Sequence, residues 1–147
     1  MEAAALLPVT MVVLVMLLQP ACLLSTRSVM RSAAAQTARV AATAAGDVDE
    51  EACVAYARRR LDAIPDVGIF HEGGASGWDV RVDGIGGASV EVEIVGRARP
   101  LPVVGGLAWA LGGTDRGGIE LSAKVSERVR PEWLEGEYGD WVGEWDS

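Results

Sequence analysis

The stretch AAALLPVTMVVLVMLLQPACLL, residues 3–24, decides how the rest of the chain is read. Residues 3–26 contain no charged side chain. As a helix the quoted run would extend about 33 Å, enough to cross the hydrocarbon layer of a bilayer. Pro8 and Pro20 lie near its ends, and membrane helices tolerate proline because neighbouring groups re-satisfy the freed carbonyls. A cleaved secretory signal wants a basic start and a small-residue cleavage site. Only Met1 and Glu2 precede the run, and Glu2 is acidic. A lipoprotein signal would lipidate Cys22, but the sequence QPAC has Gln19 where an aliphatic residue is usual. Residues 1–26 therefore read as a retained transmembrane anchor, with a lipidated anchor at Cys22 as the alternative.

The next residues, STRSVMRSAAAQTARVAATAA (25–45), hold three Arg and no acid. Alanine is the strongest helix former, so the anchor helix is expected to continue out of the membrane. Its small side chains would admit close packing against another helix; a solvated Ala-rich face is the equal alternative. Gly46 is expected to end this helix. Asp47, with Glu50 three residues on, resembles a capping box for a second helix running to Ile64, before Pro65. Cys53, Ala57, Leu61 and Ile64 fall on one apolar stripe. Arg58, Arg59 and Arg60 lie mostly off it, on a solvated face.

The period then changes from that of a helix to two. Trp78, Val80 and Val82 alternate with Asp79, Arg81 and Asp83; Val90, Val92 and Ile94 alternate with Glu91, Glu93 and Val95. Ile119, Leu121, Ala123 and Val125 alternate with Glu120, Ser122, Lys124 and Ser126. This is the pattern of half-buried strands. The glycine-rich sequence at residues 84–87 joins the first two as a hairpin. The expected fold is α+β: a long transmembrane helix continuing into a second helix, packed on a small three-stranded antiparallel sheet. The expected divisions are the anchor (1–26), the helical extension and second helix (27–64), the antiparallel β domain (65–130) and an acidic tail (131–147).

Two segments do not fit this alternation. RARPLPVVGGLAWALGGTDRGG (97–118) is apolar and rich in Gly and Pro. An exposed apolar loop marks an interaction surface or a short packed helix, so Pro100, Leu101, Pro102, Leu107 and Trp109 form a candidate partner surface. The tail PEWLEGEYGDWVGEWDS (131–147) combines three Trp with six acids and no base. Lacking periodicity, it reads as a flexible extension.

Composition narrows the function classes. The chain has 147 residues and a net charge of −8, with a single Lys. Dispersed Arg on an acidic chain is a poor footprint for a phosphate backbone, so nucleic acid is not an expected partner. With part of the length given to an anchor, only a small core remains. Two cysteines, Cys22 and Cys53, form no metal-ligand motif with the lone His71. On one continuous helix their Cα atoms would lie about 46 Å apart, whereas a disulfide needs about 7 Å or less. Two buried thiols are the favoured reading. His71 sits between Phe70 and Glu72, with no nucleophile motif nearby. The acidic run at 47–51 fails the calcium-loop pattern, because Ala52 and Arg58 stand where Gly and Glu are needed. The glycines from Gly84 onward do not complete a dinucleotide fingerprint, and Lys124 follows no phosphate-binding loop. Glu91 and Glu93 share the polar face of one strand. No catalytic residue, cofactor, metal or small-molecule substrate is nominated.

The order of these parts resembles a family. A Glu-Ala-Ala-Ala-Leu-Leu-Pro start opens an apolar helix, and an Ala/Arg-rich extension ends in RVAATAA. VEVEIVGRARPLPVVGGL and IELSAKVSERVRPEW follow. Over residues 2–130 this is similar to the TadE-like family, the minor pseudopilins of tight-adherence (Flp-type) pilus systems. The resemblance implies a pilin-like fold, a single-pass anchor in the cell membrane, an extracytoplasmic domain and a part in assembling a pilus. It implies partners among other pseudopilins and platform proteins, and neither cofactor nor catalysis. Glu2 and Pro8 would match the family's glutamate and early proline. The positive-inside rule, applied to Arg27, Arg31 and Arg39, would instead keep the domain in the cytoplasm. A basic leader ending in Gly, expected ahead of Glu2 by the resemblance, would reverse that orientation.

Overall fold

A computed structural model of the chain describes residues 2–43, 49–101, 106 and 118–129. The first helix, α1, is Glu2–Thr43, 42 residues without a break despite Pro8 and Pro20 inside it. At 1.5 Å per residue it is about 63 Å long. Its two halves have different surroundings. Leu6, Leu7, Val9, Met11–Leu14 and Met16–Leu18 are exposed or nearly so. From Gln19 onward a stripe turns inward: Gln19, Cys22, Thr26, Met30, Ala33, Thr37 and Ala41 are buried, at spacings of three and four. That spacing is one face of a helix. Ala34 and Ala38 widen the stripe, and their small size lets α1 lie close to its neighbours.

The second helix, α2, is Glu50–Leu61. Its N-cap is Asp49, whose carboxylate accepts from the Glu51 amide at 3.4 Å. The expected cap, Asp47, and the expected helix stop, Gly46, lie outside the described residues, and α1 is described as far as Thr43. The expected end at Ile64 is three residues too late. Tight turns carry Ile64 N to Leu61 O at 2.9 Å, because Pro65 disfavours the helical conformation in the residue before it. The apolar stripe is as read: Cys53, Ala57, Leu61 and Ile64 are all buried, while Arg58, Arg59 and Arg60 are exposed.

Three antiparallel strands follow in the order β1-β2-β3: β1 is Asp79–Asp83, β2 Ser89–Ala98 and β3 Ile119–Arg128. The β1–β2 turn depends on Gly84, at φ 80°, where an added Cβ would strike the Ser89 carbonyl oxygen. Register stacks the inner face in rows: Val82, Val92 and Val125 form one, Val80, Ile94 and Ala123 the next. Each fully buried aliphatic side chain of this kind contributes about 1.5–3 kcal/mol of hydrophobic stabilisation. The outer face carries charge, including Arg81–Asp79 at 2.8 Å and Lys124–Glu91 at 2.6 Å. The C-terminal half of α1 covers β2 and β3, and α2 lies between α1 and β1. The result is a two-layer α+β domain built around the same helix that carries the bare apolar stretch.

Candidate functional site: the junction of anchor and domain

Gln19 is the first α1 residue that the domain buries, at 2% exposure. Its side-chain Oε1 accepts the backbone N–H of Leu101 at 2.9 Å. A polar side chain at the edge of an apolar run needs such a partner, because an unpaired buried amide costs about 1–3 kcal/mol. Its Nε2 has no partner among the described residues. Two turns further on, Thr26 Oγ1 donates to the Phe70 carbonyl at 3.1 Å. Cys22 lies between these two contacts, on the same face and 5% exposed.

The segment receiving Thr26 is the connection between α2 and β1. It is held to the end of β2 by Glu72 N to Arg97 O and Arg99 N to Gly68 O, both 2.6 Å, and by an Arg99–Glu72 ion pair. Within it His71 is 2% exposed and stacks on Trp78, with ring centroids 3.6 Å apart and planes 10° from parallel. Trp78 in turn lies on Gly96, where any Cβ would collide with the indole ring. A cavity of about 200 Å³ opens beside the stack, lined by Leu61, Ile64, Pro65, Asp66 and His71 among others. His71 Nε2 is buried and has no hydrogen-bond partner among the described residues. Among the described residues, no group of three His, Cys, Asp or Glu side chains gathers as metal ligands would.

Two side-chain hydrogen bonds thus join α1 to the segments that flank the sheet, and the His71–Trp78 stack seats one of those segments on Gly96 of β2. The junction fixes the depth at which the domain starts along α1. Chemically it is a clamp.

The structure scatters the residues singled out from sequence. Glu2 opens α1, and its side chain lies outside the described part. Pro8 is exposed on the bare half of α1. Pro100 and Leu101 are half-buried at the junction, whereas Pro102, Leu107 and Trp109 lie outside the described residues. Both cysteines are free and buried; burial, then Asp49 and Glu50, push the Cys53 thiol pKa up. Sequence reading missed Gln19, Thr26, the His71–Trp78 stack and Gly96. A signal existed for the first two. Gln19 and Thr10 are the polar side chains within the apolar run, and Gln19, Cys22, Thr26 and Met30 share one helical face. In comparisons with known proteins, no family model, no curated protein and no solved structure matches this chain.

Proposed function

We propose that the protein is a non-enzymatic, membrane-anchored pseudopilin-like assembly factor of a tight-adherence pilus or a related secretion apparatus. One observation carries this reading. A single unbroken helix is bare and apolar over its first half and is the buried core helix of a small antiparallel β domain over its second. That division suits a subunit held in a bilayer by one end of a rod and presenting a domain at the other.

The membrane part of the reading rests on length and surroundings. α1 is long and apolar enough to cross a membrane, and only 11% of its most apolar window is buried within the chain. The core helix of a soluble domain would be mostly covered. Residues 2–18 alone give about 25 Å of helix. On the side away from the domain the apolar surface runs on to Leu24, which is exposed. The domain therefore begins beside the outer edge of the apolar layer. Removal of the run as a signal would take Gln19 and Cys22 out of the domain's packing, which favours retention. The same packing weakens the lipidated alternative, because Cys22 is covered by the domain in mid-helix.

The assembly part rests on the resemblance in residue order. In such a subunit Glu2 would lie at the head of the apolar helix, where an unpaired charge costs about 2.5–3.5 kcal/mol. A neighbouring subunit's terminal amine would offset that cost. Leu101, the last described residue before an uncharged stretch, lies at the height where α1 leaves the domain. In this reading the domain is extracytoplasmic.

The test is an anchor exchange that spares the domain. Residues 1–18 are replaced by an unrelated apolar helix, leaving Gln19 onward intact, and capture of the platform protein from solubilised membranes is measured. The reading predicts normal membrane insertion with loss of capture. Undiminished capture by the exchanged chain would overturn a specific assembly role for the anchor.

A further inference from the structure

The domain starts lower on α1 than the apolar surface of that helix ends. Leu101 N donates to Gln19 Oε1, so the chain leaving β2 is level with Gln19. On the face of α1 turned away from the domain, the apolar surface continues to Leu24, which is 67% exposed. Five residues of helix separate these levels, about 7.5 Å. A bilayer that covers Leu24 therefore reaches past Gln19 and meets the rim of the domain nearest the anchor. Tilt alone does not lift the rim clear. Such a step across a helix about 10–12 Å wide needs about 35° of tilt, against an average of about 20°.

Two segments build this rim. One is the end of β2 with the residues that follow it to Leu101. The other is the connection from α2 to β1, which turns at residues 67–70. Arg99 N bonds to Gly68 O, and Thr26 Oγ1 donates to the Phe70 carbonyl, so the turn lies beside the same stretch of α1. Its own backbone is partly satisfied within the turn, by Phe70 N to Val67 O at 2.8 Å and His71 N to Val67 O at 3.1 Å. Its side chains are apolar. Val67 is 51% exposed, and every other large hydrophobic side chain exposed among the described residues belongs to α1. Ile69, Pro100 and Leu101 are half-buried beside it. Of the nearby acids, Glu72 is paired with Arg99, and the Asp66 carboxylate lies against Gly74, on the cavity side of the connection. The described residues supply this surface without the expected acidic tail (131–147), which lies outside them.

Charge agrees with the same level. Arg27 is the first charged residue after Glu2. It is exposed and, among the described residues, in no ion pair. It lies about 4.5 Å beyond Leu24, within a headgroup layer about 5–7 Å thick. A guanidinium at that depth pairs with phosphate oxygens in a forked geometry. Arg31, one turn further on, clears the layer.

We propose that this rim is seated in the phospholipid interface, with Val67, Ile69 and Leu101 at the top of the acyl chains and Arg27 on headgroup phosphates. The inference rests on the membrane anchoring of α1 and goes beyond it. An apolar face enters the interface by about 5–10 Å, and the step between Gln19 and Leu24 falls in that range. A domain seated in this way cannot swing about α1, so the charged outer face of its sheet is held in one orientation toward a neighbouring subunit.

The test uses the full chain, in a Cys22→Ala, Cys53→Ala background, in vesicles of phosphatidylcholine and phosphatidylglycerol. An environment-sensitive fluorophore is attached at Val67→Cys, at Leu14→Cys in the anchor, or at Ser126→Cys near the opposite end of the domain. Quenching is read with lipids carrying a nitroxide at the top of the acyl chain and with aqueous iodide. Lipid quenching at position 67 should exceed that at 126 at least about threefold, as for a group about 5–10 Å into the interface, with shielding from iodide. Arg27→Glu should remove at least about half of it; an unchanged value overturns the assignment of Arg27 to the headgroups. Lipid quenching at 14 with none at 67 overturns the seated rim and leaves the anchor standing. Quenching at neither position overturns both. Shielding of 67 from iodide without lipid quenching overturns the lipid contact and assigns the rim to a protein partner.

Discussion

The backbone amide of Leu101 donates to Oε1 of Gln19, 82 residues earlier in the chain, at 2.9 Å. This contact ties the end of β2 to the point where α1 stops being bare. Its energetic weight comes from its surroundings. Gln19 is buried, so water cannot replace a lost partner. Gln19→Leu should therefore leave the Leu101 N–H without an acceptor and destabilise the domain by about 1–3 kcal/mol. Denaturant unfolding in micelles, followed by circular dichroism, reads the change. An unchanged midpoint would mean that the contact contributes nothing.

Gly96 sits under the ring of Trp78, and no side chain fits between them. Gly96→Ala should push Trp78 off its seat and disturb its stacking on His71. Overpacking of this kind costs about 1–3 kcal/mol. Near-ultraviolet circular dichroism should lose the signal of the ordered indole, and Trp78→Phe should lose less stability than Trp78→Ala. Equal stability of the two Trp78 variants would show that the ring's bulk does not matter.

Cys53 is 1% exposed, and its thiol pKa is raised by burial first and by Asp49 and Glu50 after it. The folded domain thus resists ionisation that the unfolded chain permits. The sign follows from linkage. The contribution is fully present below about pH 9, the ordinary thiol value, and is lost as pH rises through the folded value. Unfolding measured from pH 7 to 10.5 should show stability falling above about pH 9, less steeply in Cys53→Ala. Parallel curves for the two proteins would place the alkaline loss elsewhere.

The Arg39–Glu127 pair is expected to matter little for stability. Its side chains are 73% and 42% exposed at 3.8 Å, and such pairs are worth about 0–1 kcal/mol. Glu127→Gln should shift the unfolding midpoint by no more than the scatter of replicate melts. A loss above about 1 kcal/mol would reveal a role in packing that the exposed geometry does not suggest.

The layers of this fold were legible because each has its own period. Alternation located all three strands, and the stripe through Cys53, Ala57, Leu61 and Ile64 located α2. Ends were less legible. β2 runs on to Ala98, beyond the last clear alternation at Val95, because Gly96 makes room for Trp78 and carries no hydrophobic signal of its own. The cap at Asp49 was hidden among several acids. The junction was hidden for a different reason. Hydropathy treats residues 3–24 as one unit, but lipid and the β domain are both apolar surroundings, and only the position of Gln19, Cys22 and Thr26 on one face separates them. The His71–Trp78 stack depends on a connection whose path follows from tertiary contacts, with no periodicity to announce it.

The central claim is that α1 is one rod, held in a bilayer by its first half and clasped by an outer domain from Gln19. Single cysteines placed along α1 in a Cys22→Ala, Cys53→Ala chain test it in intact cells with a membrane-impermeant maleimide. Positions 6–18 should resist labelling, whereas Ser28→Cys and Arg31→Cys, both exposed on α1, should label from outside without permeabilisation. Labelling throughout residues 6–18 would contradict the membrane anchor, and labelling of Ser28→Cys only after permeabilisation would contradict the outward-facing domain.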